Sequence, residues 1–500
     1  MTVNSIKKAA VVNTVWKFSE RVIAQVITLL VSVILARLLS PEEFGIVSIV
    51  VIFFNFANVI ISGGLNTALI QKKNADAEDY STVLHVSVIS SAAVYAVLFF
   101  AAPFIAGAYG QEMLVPVIRV MSLSLPVYAV KSVYCAYISA TLQFRKFFFA
   151  TLGGTLASAA VGIGMALSGF GAWSLVAQQV TNTVIDTLIL VIITRIGLVF
   201  RISFRKLGSL FSYGWKVFVS SLLTTAYSEA VALFIGIRFT SSDLSFYTKG
   251  KLFPSTVSNT TSSTLSAVLF PVLSRFQDDR EKLLSATRRF ISVTSYVVFP
   301  MMLGFFAVAD NFVIVLLTDK WADAIYYLRI FCIASMFDMI HTGNCETIKA
   351  MGRSDIFLIM EIVKKSSYFA VIAAFLFLGS TPQSLAVAAI VCTGIALAVN
   401  SFPNRKLIGY SLKQQAADIL PNLLISVLMC ACVMCIGLIP LNRMALLALQ
   451  VISGALIFLA LSFVTKNRNL NYLIGILREK RGADDFQGET SGDAGGKDDE

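Results

Sequence analysis

Apolar stretches of about twenty residues recur along almost the whole chain, and they constrain the fold more than any other feature. A helix needs about 20 predominantly apolar residues to cross the hydrocarbon core of a membrane. Hydrophobic residues occupy 57% of the 500 positions and charged residues only 14%, a balance outside that of soluble globular domains. The chain is therefore predicted to be an all-α, polytopic membrane protein.

The apolar stretches predict about fourteen transmembrane helices. They cover residues 12–38, 44–66, 81–107, 116–138, 147–168, 172–194, 212–237, 244–272, 290–316, 324–347, 356–379, 384–402, 417–439 and 444–465. The connections between them are short, so a separate catalytic domain has no place in the chain.

Lysine and arginine residues are distributed unevenly among these connections. Cytoplasmic loops of membrane proteins carry the excess of basic residues. The chain follows this rule if both termini lie in the cytoplasm, and we expect a multi-pass membrane protein. The net charge of +11 then reflects a basic cytoplasmic face, and nucleic-acid binding is not expected. The outer connections hold few basic residues: Arg37, Arg238, Lys320 and Arg443.

Two short motifs of the first predicted helix recur in the seventh. Trp16-Lys17 returns as Trp215-Lys216, and the segment 37–42 returns as 238–243. Six helices separate the copies, as in transporters built from two parallel repeats; chance similarity between apolar helices is the competing explanation. The last two helices carry few polar residues and are expected to face lipid. The resulting division is 1–205 and 206–410 for two six-helix lobes, 411–466 for two additional transmembrane helices and 467–500 for a cytoplasmic, disordered acidic tail.

Charged residues lie inside several of the apolar stretches. Each costs about 2.5–3.5 kcal/mol at the bilayer centre, so it must face a polar cavity or a partner. Cations outnumber acids at this depth, and an excess of positive charge suits an anionic group such as a pyrophosphate. The candidate substrate-binding cations are Arg21, Arg119, Lys131, Lys216, Lys249 and Lys251. The candidate coupling or structural acids are Glu20, Glu229 and Asp338.

Some of these charges also have a structural interpretation. Lys216 and Lys251 lie near helix ends, where a lysine can extend its ammonium group to the lipid headgroups. Lys364 can pair with Glu361 on its own helix. His341 is a candidate proton relay, although one satisfied hydrogen bond is the commoner state of a lone histidine.

One predicted helix carries a regular polar stripe. Gln178, Asn182 and Asp186 are spaced by four residues, which places them on one face of a helix. Such a stripe lines a lumen or binds a neighbouring helix.

Several kinds of chemistry have no signature in the sequence. No G-x-x-x-x-G-K-[ST] stretch occurs for a P-loop, and no H-E-x-x-H for zinc hydrolysis. Cys430, Cys432 and Cys435 lie in an apolar run without histidine or carboxylate, which indicates small buried hydrophobes rather than a metal site. No cofactor and no catalytic residue are expected.

Five stretches, in this order and spacing, resemble one transporter family. They are residues 36–45, 64–71, 142–145, 320–322 and 350–355. The chain resembles the polysaccharide transporter (Wzx-type) family, in particular its colanic-acid-exporter-like branch, within the multidrug/oligosaccharidyl-lipid/polysaccharide exporter superfamily. Lipopolysaccharide and exopolysaccharide synthesis are the processes that this resemblance implies.

The resemblance implies a flippase rather than an enzyme. Such a protein moves an undecaprenyl-pyrophosphate-linked oligosaccharide repeat unit to the outer leaflet of a bacterial inner membrane, by alternating access around a central cavity. The expected partners are the lipid-linked oligosaccharide and membrane lipid, with H⁺ or Na⁺ as a coupling ion, and the protein is expected to act as a monomer.

Two alternative functions stay open at this point. A cation-coupled multidrug exporter of the same superfamily needs an acidic site, which Glu20, Glu229 or Asp338 can supply, and an apolar pocket. A membrane-embedded glycosyltransferase or ligase needs a larger outer loop than this chain offers, although Glu42 and Glu43 are carboxylates in the first outer connection.

Overall fold

A computed structural model describes residues 20, 23–72, 74–197, 202–378, 381–472 and 475. Within these residues every regular element is a helix and no strand occurs, which confirms the predicted all-α class. Arg21 and nearly all of the predicted acidic tail lie outside the described residues.

The helices follow one another with short connections, and a 3-10 turn over Asp319–Trp321 lies between α11 and α12. Their bounds are α1 Ile23–Leu38, α2 Pro41–Ser62, α3 Leu65–Gln71, α4 Ala77–Tyr109, α5 Leu114–Ser122, α6 Leu125–Thr141, α7 Phe144–Leu167, α8 Ala172–Thr194, α9 Phe204–Arg238, α10 Ser241–Ser274, α11 Arg280–Leu317, α12 Ala324–Ser335, α13 Asp338–Ala350, α14 Ser354–Phe377, α15 Pro382–Leu407, α16 Leu412–Ile436 and α17 Arg443–Val464.

Each of the fourteen predicted stretches overlaps at least one of these helices. In the described part of the chain, ten helical spans are long and apolar enough to cross a membrane, one of them formed by α12 and α13 together. The pair α5 and α6, bent by 41°, counts as an eleventh. The protein is thus a multi-pass membrane protein, and the count of fourteen spans stays a prediction.

The repeated motif between the first two helices of each copy is a helix cap. Ser40 accepts a hydrogen bond from the Glu43 N–H and donates its own N–H to the Glu43 carboxylate, 2.7 Å away. Thr240 and Asp243 repeat this exchange at the start of α10, with both distances at 3.1 Å. Each capping box satisfies two backbone donors. The caps align Ser40 with Thr240, one residue away from the alignment read from the sequence motif.

The described residues divide into two compact units. The first consists of the described residues up to Thr248 together with Leu316–Asp323, and the second of Lys249–Val315 and the described residues from Ala324 onward. The predicted lobes 1–205 and 206–410 are defined by an internal repeat rather than by packing, so they stay a prediction.

In the first unit, Trp321 anchors the junction between α1 and α2. Its buried indole donates a hydrogen bond from Nε1 to the Ala36 carbonyl at 2.8 Å. The rings of Phe44 and Phe246 meet it edge-on, with centroids 5.3 and 6.0 Å away. Edge-to-face contacts of this kind add to the burial of aromatic area, and they fix the ends of the two helices that form one wall of the site below.

The pair α7 and α8 forms another part of the cavity wall and packs closely because glycine lies between the helices. A Cβ added at Gly154 would lie 2.8 Å from the Asp186 Cβ, closer than real carbon contacts. Small residues let membrane helices approach in this way. A larger side chain at Gly154 would push α8 away.

In the second unit, a buried amide network fixes α16. Asn344 donates to Gln415 at 2.9 Å, and Asn404 donates to Asn344 at 2.7 Å. Asn422 donates to the Ser295 hydroxyl at 2.9 Å. All of these amides are buried. The expectation that the last two helices simply face lipid is therefore wrong for one face of α16, which is bound into the unit by polar contacts.

Candidate functional site

A cavity of about 560 Å³ lies within the first unit. Five helices supply its walls: α1, α2, α7, α8 and α9. Its volume falls in the range of ligand sites in proteins, roughly 300–1,000 Å³.

Most polar groups of this cavity are uncharged hydroxyls and amides. They come from four of the five helices, and the rest of the lining is mainly apolar and includes Val31, Leu35, Phe44 and Leu175. The uncharged polar lining residues are Thr28, Ser32, Ser48, Asn55, Thr155, Ser158, Gln178, Gln179, Asn182 and Thr183.

Helical spacing explains why these residues meet. On α8, Gln178, Gln179, Asn182 and Thr183 recur every three to four residues, so they share one face. On α2, the lining positions from Phe44 to Asn55 show the same period. The predicted stripe therefore lines a lumen over its first two members, Gln178 and Asn182.

Glu229 is the one charged residue among the described residues that line this cavity. Its Oε1 accepts a hydrogen bond from Nδ2 of Asn55 at 2.9 Å. A hydrogen bond to a carboxylate is stronger than one between neutral groups, so Asn55 holds the carboxylate in one orientation at the cavity wall.

Three of the lining hydroxyls donate their protons to backbone carbonyls of their own helices. Ser48 donates to the Phe44 carbonyl at 2.8 Å, and Ser158 donates to the Thr155 carbonyl at 2.9 Å. Thr183 likewise donates to the Gln179 carbonyl, 3.1 Å away. A hydroxyl has one donor and two acceptor lone pairs, so these groups offer acceptors to the cavity, while the glutamine amides offer donors as well.

The third member of the stripe, Asp186, binds a neighbouring helix instead. Its Oδ2 lies 2.6 Å from Nζ of Lys131 on α6, and the two side chains are 4% and 21% exposed. Lys131, predicted as a substrate-binding cation, is thus paired with an acidic partner in this structure. The spacing of four residues places Asp186 on the same helix face as Gln178 and Asn182, but it does not show which side chain of a neighbouring helix contacts Asp186.

The other predicted cations of the first unit lie apart from the cavity lining. The Arg119 guanidinium lies 4.2 Å from the centre of the Phe99 ring and donates from Nε to the Phe99 carbonyl at 3.4 Å. Lys216 is exposed on α9. The three predicted substrate-binding cations of this unit, with Lys131 on α6, belong to three different helices.

The remaining predicted site residues belong to the second unit or precede α1 in the sequence. Lys249 is buried on α10, and the Lys251 ammonium lies 5.9 Å from the centre of the Phe331 ring. Asp338 accepts a short hydrogen bond from the Ser258 hydroxyl. Glu20 is half-buried, and Arg21 falls outside the described residues.

Two structural interpretations are confirmed in the second unit. Lys364 forms an ion pair with Glu361 one turn earlier. Nδ1 of His341 lies 3.0 Å from the Asn400 amide nitrogen, a hydrogen bond of the kind expected of a lone histidine, while its role as a proton relay stays a prediction.

Of the three clustered cysteines, only Cys430 is buried, whereas Cys432 and Cys435 lie on an exposed face of α16. The prediction that all three are buried is therefore wrong for two of them. The described residues contain no group of three histidine, cysteine or acidic side chains placed to hold a metal ion.

A family model for polysaccharide biosynthesis proteins matches residues 34–326, more than half of the chain. The chain belongs to this polysaccharide biosynthesis protein family. The match begins within α1 and ends within α12, so it includes most of the residues that line the cavity.

One relative in sequence is the succinoglycan biosynthesis transport protein ExoT of Rhizobium meliloti. The two are 27% identical over 291 residues, which is 58% of this chain and 59% of ExoT. The matched part of this chain thus spans less than two thirds of that relative.

Two solved structures share the fold of this family member. The lipid II flippase MurJ, in an inward closed conformation, matches with a TM-score of 0.74 at 15% identity over 90% of this chain and 98% of MurJ. An inward-facing multidrug resistance MATE family transporter of the MOP superfamily matches with a TM-score of 0.62 at 16% identity, over 78% and 96%. The fold is that of MurJ and MATE transporters, and these relatives are named as transporters and flippases rather than enzymes.

Sequence reasoning missed most of the cavity because its lining is neutral. Ser48 and Asn55 are uncharged residues in a mostly apolar helix, and Thr155 and Ser158 resemble ordinary packing positions. The available signal was helical spacing: Ser48 and Asn55 are seven residues apart, which is about two turns of α2, and Gln178 and Asn182 are four residues apart on α8.

Proposed function

We propose that this protein flips an undecaprenyl-pyrophosphate-linked oligosaccharide across a bacterial cell inner membrane. The observation that carries the proposal is the hydroxyl- and amide-lined cavity in a chain of the polysaccharide biosynthesis family. The names of ExoT, a transport protein for succinoglycan synthesis, and of MurJ, a lipid II flippase, support the same class of substrate.

The cavity addresses the main barrier to this movement. Each sugar hydroxyl that leaves water for hydrocarbon without a new hydrogen bond costs several kcal/mol. Acceptors at Ser48 and Thr183 and amides at Gln178 and Gln179 replace part of the lost water. The polyprenyl tail needs no such compensation and stays in the bilayer.

The pyrophosphate requires a different set of groups. In the proposal it is bound at successive depths by the predicted cations: Arg21, Arg119, Lys131, Lys216, Lys249 and Lys251. A dianion in a low-dielectric passage needs opposite charge at more than one depth. Because Lys131 already pairs with Asp186, its use on the substrate requires an exchange of partners.

The energy source and the topology belong to the same proposal. Glu20, Glu229 and Asp338 are the acids available for structure or for coupling to H⁺ or Na⁺, and the MATE-like fold is compatible with such coupling. The protein would act as a monomer by alternating access, with both termini in the cytoplasm, as the distribution of basic residues favours.

A cation-coupled multidrug exporter is the second candidate. The MATE structural likeness and the carboxylate of Glu229 in the cavity favour it. The neutral polar lining favours the flippase, because pockets for drug-sized molecules are lined mainly by apolar and aromatic side chains.

Depletion of the protein in its native cell separates these two functions. A flippase predicts loss of surface polysaccharide and accumulation of the undecaprenyl-pyrophosphate-linked repeat unit at the cytoplasmic leaflet, with unchanged efflux of ethidium. Unchanged surface polysaccharide together with ethidium retention would instead establish the drug exporter.

A further inference from the structure

We infer that the cavity of the first unit takes an uncharged, hydroxyl-rich segment of the glycan and that Glu229 selects against sugars carrying a carboxylate. This inference rests on the proposed function, and it assigns one part of the substrate to one site.

The first argument is the charge of the lining. Glu229 is the single charged group among the described lining residues. The described cations Arg119, Lys131 and Lys216 of the same unit all lie outside that lining. A uronate or phosphate in this cavity would therefore meet a like charge without a compensating cation, which raises the free energy of the bound state.

The second argument is the geometry of the carboxylate. Nδ2 of Asn55 donates a hydrogen bond to Oε1 of Glu229 at 2.9 Å. Oε2 of Glu229 has no hydrogen-bond partner among the described residues. An ionised carboxylate only accepts hydrogen bonds. Its free oxygen is suited to a sugar hydroxyl, which donates, and is unsuited to a second carboxylate, which also only accepts.

The third argument is the balance of the neutral groups around it. The hydroxyls of Ser48, Ser158 and Thr183 are committed as donors to backbone carbonyls. Ser48 and Thr183 therefore keep acceptor lone pairs, and Ser158, which accepts from Nδ2 of Asn182 at 3.4 Å, keeps one. Together with the amides of Gln178 and Gln179, which both donate and accept, these groups match a neutral glycan, whose hydroxyls also donate and accept.

The test compares two probes in proteoliposomes that contain the full-length protein. One is undecaprenyl pyrophosphate bearing a tetrasaccharide of glucose, and the other carries the same tetrasaccharide with one glucose replaced by glucuronate. We expect the neutral probe to be translocated about tenfold faster, the size of effect expected for one partly solvated like-charge contact.

Two variants change this ratio in opposite directions. Glu229→Gln keeps an acceptor for Asn55 and removes the charge, so the ratio should fall to about one. Gln179→Glu adds a carboxylate at an exposed lining position and should raise the ratio above that of the wild type. Glu112→Gln, at an exposed glutamate outside the cavity lining, is the matched control and should keep the wild-type ratio.

The outcomes separate the two proposals. Translocation of both probes at equal rates, unchanged by Glu229→Gln and by Gln179→Glu, would overturn the selectivity and leave the flippase function standing. Translocation of neither probe by well-folded wild-type protein would overturn the flippase function itself. Size-exclusion profiles of the variants in detergent show which proteins are folded.

Discussion

The Lys131–Asp186 ion pair allows a quantitative prediction about stability. The two atoms Nζ and Oδ2 are 2.6 Å apart, between α6 and α8. Removing one member of a buried pair costs about 3–5 kcal/mol because the other charge is left without compensation. The cost should differ between the two members, since their surroundings differ.

The lysine side chain is 21% exposed and the aspartate 4%. After Asp186→Asn, the flexible lysine can move its ammonium group to water, so the loss should lie near or below about 3 kcal/mol. After Lys131→Met, the carboxylate stays buried, and its Oδ1 already has no hydrogen-bond partner among the described residues. That loss should approach about 5 kcal/mol.

The assay is equilibrium unfolding in mixed micelles with increasing SDS, followed by tryptophan fluorescence. The double variant Lys131→Met with Asp186→Leu replaces both charges by apolar groups and should recover most of the loss, as expected for a buried pair. Equal losses for the two single variants, or a double variant as unstable as the sum of both, would refute this reasoning.

Three further predictions concern transport, packing and the tail. Lys249→Ala should abolish most surface polysaccharide at normal protein abundance, and Lys249→Arg should restore part of it, whereas the exposed control Lys413→Ala should export normally. Surface glycan staining measures export, and immunoblotting measures protein abundance. Normal export by Lys249→Ala would show that this lysine does not bind the substrate. Trp321→Phe removes the hydrogen bond to the Ala36 carbonyl and should lower the free energy of unfolding by about 1 kcal/mol, which SDS titration measures; an unchanged midpoint would contradict it. Deletion of the residues after Gly482 should leave insertion and export nearly unchanged, and loss of export at normal abundance would show that the tail has a function.

The helices were predictable because a membrane-spanning helix needs a run of about 20 apolar residues, which the sequence shows directly. Apolar length located a helix at each of the fourteen predicted stretches. It gave no sign of the bend between α5 and α6 or of the break after α12, because Leu123 and Met336 are apolar and the change there is in backbone direction.

The candidate site was predictable only where it is charged. Glu229 is the one acidic residue of α9, and the structure places it in the cavity lining. Lys131 stands out equally, yet its role depends on Asp186, 55 residues later in the chain, and a sequence does not state which side chains meet. Ser48 and Thr155 carry no charge, so only the packing of α2 against α7 and α8 identifies them as lining.

The account's central claim is tested most directly by the movement of one lipid between leaflets. Proteoliposomes containing the purified protein are loaded with undecaprenyl pyrophosphate bearing a fluorescent glucose tetrasaccharide, and the fraction accessible to a membrane-impermeant quencher is followed over time. The account predicts that the inaccessible pool becomes accessible much faster than in protein-free liposomes. Equal rates with and without folded protein, in the presence and absence of H⁺ and Na⁺ gradients, would contradict it.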